Sequence, residues 1–181
     1  MDERRGSPTL AVRRQPPAPP PPLPPTTDLM LTEAVQRSVD YFRAGLYCSE
    51  AILRAFNETQ ELGLPEHAYG IATPFGAGMG AAKCSCGAVT GGLLVLGLAR
   101  GRTSVDDSED EAFTVAKELH DRFRARYKVI CCRGLTRRLP WGEPEHHQAC
   151  QAYVRFAAEV VASLLGRPPT AAAAHSPEGN S

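Results

Sequence analysis

Six cysteines, Cys48, Cys84, Cys86, Cys131, Cys132 and Cys150, are the residues of this sequence best suited to chemistry. The thiolate of cysteine attacks disulfides and oxidants and also binds soft metals, so two activities are open to the set: thiol–disulfide exchange, or the holding of zinc or an iron–sulfur cluster. Spacing alone does not choose between them. No C-x-x-C occurs, and neither Cys84-Ser85-Cys86 nor the adjacent pair Cys131-Cys132 is a zinc-knuckle spacing.

The most concentrated stretch is Phe75 to Arg100, FGAGMGAAKCSCGAVTGGLLVLGLAR. Gly76, Gly78 and Gly80 admit dihedrals closed to other residues and predict a shaped loop from Phe75 to Lys83. Ser85 has the oxygen of an N-cap residue, which places Cys86 in the first turn of the next helix, where unpaired amides and the helix dipole favour a thiolate. Lys83 can add to that field. Cys48 stands at the threshold of an earlier helix, so Cys86 and Cys48 are the two sulfurs expected to have low pKa values. The glycines Gly76, Gly78, Gly80 and Gly87 are the candidate contacts to a bound group. Two blander readings fail on length and spacing. The apolar run beyond Cys86 is shorter than the roughly 20 residues a membrane span needs. The glycine loop has neither the G-x-G-x-x-G spacing nor the Gly-Lys-Ser/Thr of a nucleotide loop.

These positions need elements to hold them, and apolar periodicity predicts only helices. Leu31, Val35, Val39 and Phe42 mark a first helix closed by Gly45. A second runs from about Ser49 to Leu62 and stops at Gly63. A short turn starts at Pro65 and leads into the glycine loop. The run after Cys86 has no clear polar face, which predicts a helix buried on most sides. Its Gly87, Gly91 and Gly92 each cost about 1 kcal/mol relative to alanine. That cost is accounted for if neighbouring helices approach closely at the cysteine end. Next comes a long amphipathic helix from about Asp106 to Tyr127, acidic at its start and basic at its end, with an inward stripe of Phe113, Ala116, Leu119 or His120, Phe123 and Tyr127. The last helix opens at Pro144 and carries Tyr153, Phe156, Val160 and Leu164 inward, with Cys150 one turn earlier on nearly the same face. His146 and His147, four and three residues before Cys150, read as an exposed polar pair, with a mixed ligand set as the alternative. The expected fold is all-α, a compact bundle of about five helices around a buried glycine-rich central helix.

Composition sets the remaining bounds. The chain has 181 residues, enough for one domain with a core, and its twenty acidic and twenty basic residues balance, so neither nucleic acid nor an anionic membrane is an expected partner. Residues 1–27 form a proline-rich stretch expected to be disordered, residues 28–166 the helical domain, and residues 167–181 a second disordered tail. A P-x-x-P docking segment is the alternative for the first. Met1 to Pro25 lacks the apolar core of a secretory signal, and prolines follow the arginine pairs where an export signal is apolar. A cytoplasmic protein is expected, in which cysteines are catalytic or metal-binding more often than cross-linked.

Five blocks together, Tyr47-Cys48-Ser49-Glu50-Ala51-Ile52, Phe75-Gly76-Ala77-Gly78-Met79-Gly80, Cys86-Gly87-Ala88-Val89-Thr90-Gly91, Cys132-Arg133-Gly134-Leu135 and a late Cys150, resemble the C_GCAxxG_C_C family of redox-active proteins over about Leu31 to Leu165. The resemblance implies four characteristic cysteines, Cys48, Cys86, Cys132 and Cys150, in a small helical protein of redox or metal-cluster chemistry. Cys84 and Cys131 are additional to that pattern, and Ser85 stands where the family's name suggests glycine. Two functions follow, with a structural bundle of inert cysteines as a third reading. In one, a low-pKa thiolate at Cys86 or Cys48 attacks a disulfide or oxidant, a second cysteine resolves the product, and the partner is a redox protein or a small thiol or oxidant. In the other, the four thiolates hold an iron–sulfur cluster or zinc, and the protein carries electrons, senses or is structural.

Overall fold

The computed structural model describes residues 28–167, so the two expected tails lie outside it apart from Arg167. Five helices of thirteen residues or more carry the architecture: α1 (Asp28–Arg43), α2 (Cys48–Gln60), α4 (Gly87–Arg100), α5 (Asp110–Tyr127) and α7 (Pro144–Leu165). Between them lie a 3-10 segment (Glu66–Phe75) and two four-residue turns, α3 (Gly76–Met79) and α6 (Cys132–Leu135). The protein is all-α, with no strand among the described residues. Helix α2 packs between α1 and α4, and α7 closes the bundle against α1, α4 and α5.

The apolar stripes explain this packing. Leu31, Ala34, Val35 and Val39 of α1 are buried, as are Ile52, Leu53 and Phe56 of α2, and Val154, Ala157, Val161 and Leu164 of α7 belong to the same core. Each fully buried Leu, Ile or Phe contributes about 1.5–3 kcal/mol relative to its exposed state. Around Phe123, an aromatic group of Tyr127, Tyr153 and Phe156 joins α5 to α7, with ring centroids 4.8 to 6.3 Å apart.

Helix α5 differs from its expected stripe. Leu119 and Phe123 are fully buried and Tyr127 half-buried, but Phe113 is 68% exposed. Stepping back from Leu119 by three residues and then three more leaves the side chain about 120° away from the buried face, because a turn takes about 3.6 residues. The half-buried Ala112, Val115 and Ala116 occupy that part of the helix instead. The helix also starts at Asp110 rather than Asp106, since Asp107 accepts hydrogen bonds from the amides of Thr103 and Ser104 at 3.0 Å each.

Helix α4 is buried unevenly. Gly87 to Gly92, Val95 and Leu96 are buried, whereas Leu93, Gly97 and Leu98 are exposed, so burial on most sides holds only at the cysteine end. That end is where the glycines are needed. A Cβ on Gly91 would lie 2.7 Å from Ser49 Cα, and one on Gly92 would lie 2.8 Å from a Leu119 methyl. Gly97 has no atom within 4 Å of its Cβ direction, so Gly97→Ala is expected to stabilise the protein by about 0.5–1 kcal/mol through helix propensity alone. A denaturant titration checks this; a lower midpoint would contradict it.

The loop before α4 is left-handed over a run of residues. Ala77, Gly78, Met79, Gly80 and Ala81 all have φ between 51° and 74°, and Lys83 and Ser85 add φ of 58° and 47°. Left-handed backbone costs a non-glycine residue roughly 1–2 kcal/mol, so the surroundings must impose it. They do so through hydrogen bonds from Cys84 N–H to the Gly78 carbonyl (3.2 Å), from Cys86 N–H to the Ile130 carbonyl (2.7 Å) and from Arg133 N–H to the Lys83 carbonyl (2.9 Å). Ser85 consequently does not cap α4. Cys86 is itself the N-cap residue, with φ −65° and ψ 132°.

Candidate redox site

Each of the four family-type cysteines is placed by the end or the inward face of an element. Cys48 is the first residue of α2, Cys86 the N-cap of α4, Cys132 the first residue of α6, and Cys150 lies two turns into α7. Gly87 brings the first two helices together: a Cβ there would lie 3.2 Å from Cys48 Cβ and 3.2 Å from the Phe75 carbonyl. The four sulfurs influence one another's ionisation as two pairs, Cys48 with Cys150 and Cys86 with Cys132, with a weaker electrostatic influence between the pairs. Elements widely separated in sequence thus meet at one place.

Within each pair one sulfur is pushed up and the other down. Hydrogen bonding with Cys86 and with the Gly87 amide lowers the Cys132 pKa to about 7 against the opposing effect of burial. Donation to Cys132 and burial push Cys86 well above its ordinary value, despite a hydrogen bond from the Ala88 amide. Cys48 likewise donates to Cys150, which raises Cys48 and lowers Cys150. The low-pKa positions are therefore Cys132 and Cys150, not Cys86 and Cys48. A position at a helix N-terminus favours an anion, but desolvation and the presence of a neighbouring thiolate outweigh it for those two. In its neutral form the Cys132 thiol donates to the Ser85 carbonyl at 3.9 Å.

The two additional cysteines stand apart. The Cys131 thiol donates to the Lys83 carbonyl at 2.9 Å, and Cys84 is exposed, so in the adjacent pair Cys132 is the member turned into the site. Gly76, Gly78 and Gly80 shape the loop beside it. A Cβ on Gly76 would lie 2.6 Å from the Tyr47 ring, and Gly78 sits against the Cys84 backbone with φ 74°. Tyr153 lies near the same sulfurs, where burial and the cysteines raise its phenol pKa, and its hydroxyl donates to the Leu135 carbonyl at 3.2 Å.

His146 reads from the sequence as a surface residue and is instead 6% exposed. Its Nε2 lies 3.7 Å from Cys150 Sγ, and its ring packs on Trp141 with centroids 4.3 Å apart. Trp141 in turn carries the Lys83 ammonium 4.3 Å above its ring centre. His147 is exposed, as expected. The i, i+4 spacing to Cys150 is the sequence signal available for His146; that Trp141 covers it has no such signal.

Among the described residues, no group of three or more His, Cys, Asp or Glu side chains is arranged to hold a metal ion.

A family model described as "Putative redox-active protein (C_GCAxxG_C_C)" matches residues 46–164. The chain belongs to the C_GCAxxG_C_C family. All four cysteines of the two pairs fall inside the C_GCAxxG_C_C match, while α1 lies before it. Membership supports a redox role in the general sense. No curated protein and no solved structure matches the chain. No helix among the described residues is long and apolar enough to cross a membrane.

Proposed function

We propose that this protein is a thiol–disulfide exchange protein with two dithiol pairs, in which Cys132 and Cys150 attack and Cys86 and Cys48 resolve. The observation that carries the reading is the close approach of α2 and α4 at Gly87, where a Cβ would lie 3.2 Å from Cys48 Cβ, directly beside Cys86. It is supported by a Cys132 pKa lowered to about 7 by Cys86 and the Gly87 amide. About half of such a thiol is ionised at pH 7, against a few per cent for an ordinary cysteine. The Cys132 thiolate attacks one sulfur of a partner disulfide, forming a mixed disulfide and releasing the other sulfur as a thiolate. Cys86 then attacks the Cys132 sulfur. The second partner sulfur leaves and takes the proton Cys86 gives up, so the partner disulfide is reduced and Cys86–Cys132 is oxidised. The partner is a redox protein or a small disulfide or oxidant. Sulfurs arranged as two pairs, rather than as a three-donor group, favour this over bound zinc among the described residues.

Reaction with a small aromatic disulfide under anaerobic conditions tests the reading. Cys86→Ser is expected to stop at a stable mixed disulfide on Cys132, whereas the unaltered protein passes through it to the internal disulfide. Full reaction of Cys86→Ser with no adduct at Cys132 would overturn the assignment. Since Cys84 is exposed and the Cys131 thiol is engaged with the Lys83 carbonyl, the double variant Cys84→Ser, Cys131→Ser is expected to react within about twofold of the unaltered rate. A larger loss measured in the same assay would bring one of them into the mechanism.

A further inference from the structure

We infer that His146 is a catalytic residue of the Cys48–Cys150 pair, its Nε2–H donating to the Cys150 sulfur and so selecting Cys150 over Cys48 as the attacking atom. The inference rests on the exchange reading above and adds to it a residue and a direction.

Three observations converge on it. His146 is one of the few polar side chains buried in the fold, and a buried imidazole keeps polar atoms only where partners meet them. Its Nδ1 faces the Gly142 N–H at 3.4 Å. A ring nitrogen that accepts from an amide carries no proton, so in the neutral ring the proton is on Nε2, the atom 3.7 Å from Cys150 Sγ. Trp141 packs against the ring at an interplanar angle of 43°, and the i, i+4 relation on α7 brings His146 and Cys150 onto one face. The ring's neutrality is supported by burial, the nearby His147 and the Lys83 ammonium, all of which lower its pKa. Lys83 reaches the cluster through the face of Trp141, which ties the left-handed loop to this pair as well as to Cys132.

A donor of this kind stabilises the sulfur while it is negative and is neutral to it once it is in a disulfide. Cys150 thiolate attacks a partner sulfur, the partner S–S bond breaks, and its electron pair leaves with the other partner sulfur. Cys48 then attacks Cys150 and passes its proton to the second departing partner sulfur, leaving Cys48–Cys150 oxidised. His146 gives up no proton at either stage. Because Cys150 has this donor in addition to Cys48, the pair is asymmetric.

Competitive labelling with isotope-coded iodoacetamide at pH 7, resolved by peptide mass spectrometry, tests it on the full chain. In His146→Phe, and in His146→Leu should the larger ring disturb folding, Cys150 is expected to label about three- to fourfold more slowly, the net of fewer thiolates and a more basic sulfur. His146→Gln retains an N–H donor and is expected to recover most of the rate. Cys132 in the same samples is expected to be unchanged. Equal Cys150 rates in all variants, or a Gln variant as slow as Phe and Leu with Cys132 slowed alongside, would overturn the role. Oxidised unaltered protein is mapped in parallel: if no Cys48–Cys150 disulfide forms, the exchange reading itself fails, whereas a normal disulfide with unaltered Cys150 rates removes only His146.

Discussion

In a Cys86→Ala variant, Cys132 is expected to titrate at about 8–9 instead of about 7, because the largest cause of its lowering is the hydrogen bond that Cys86 donates. The effect on rate changes sign with pH. At pH 7 the thiolate fraction falls from about half to about 3%, roughly sixteenfold. A more basic thiolate is also a better nucleophile, which returns about fivefold over 1.5 pKa units, so exchange is expected to slow only about threefold at pH 7. Near pH 9.5 both sulfurs are ionised, and the variant is expected to be about fourfold faster than the parent. Stopped-flow reaction with an aromatic disulfide across this range, with Cys132 adducts resolved by mass spectrometry, would show the crossing. Parallel profiles with one shared midpoint would mean that Cys86 does not donate to Cys132.

Gly91→Ala is expected to cost about 2–3 kcal/mol, the range of an overpacked core position. Alanine ordinarily gains about 1 kcal/mol over glycine in a helix interior. Here its Cβ would lie 2.7 Å from Ser49 Cα and 2.8 Å from the Ser49 carbonyl oxygen, both backbone atoms that no rotamer change can move. Overlap therefore wins, and α2 must shift away from α4. The melting temperature is expected to fall by about 5–10 °C. Ser49 follows Cys48, so the same shift is expected to weaken the Cys48–Cys150 pair. An unchanged melting temperature would show that the two helices are not in contact at this position. The opposite sign at Gly97→Ala, with the same residue types on the same helix, separates close approach from propensity.

These two glycines mark how far the sequence could be read. Three glycines near Cys86 call for a close neighbour, but that the neighbour is the Ser49 backbone depends on how α2 and α4 cross. The five long helices follow from apolar periodicity, and Pro144 marks the start of α7 correctly. Phe113 misleads because a hydrophobic residue at a helix end fits more than one stripe. The four cysteines are legible as a set through their order along the chain. Which of them ionises is not. Helix N-termini point to Cys48 and Cys86, yet burial and the neighbouring cysteines raise both, and those neighbours, Cys132 and Cys150, are brought in by α6 and α7. His146 escapes for a similar reason, since its burial comes from Trp141 across a connector with no periodicity.

Peptide mapping of the protein after mild anaerobic oxidation with diamide, under non-reducing conditions, tests the pairing most directly. Linked peptides joining Cys86 to Cys132 and Cys48 to Cys150, with Cys84 and Cys131 still free, are the expected products. Linkage of Cys131 to Cys132 or of Cys84 to Cys86, or four cysteines that stay reduced together, would contradict the two-pair site.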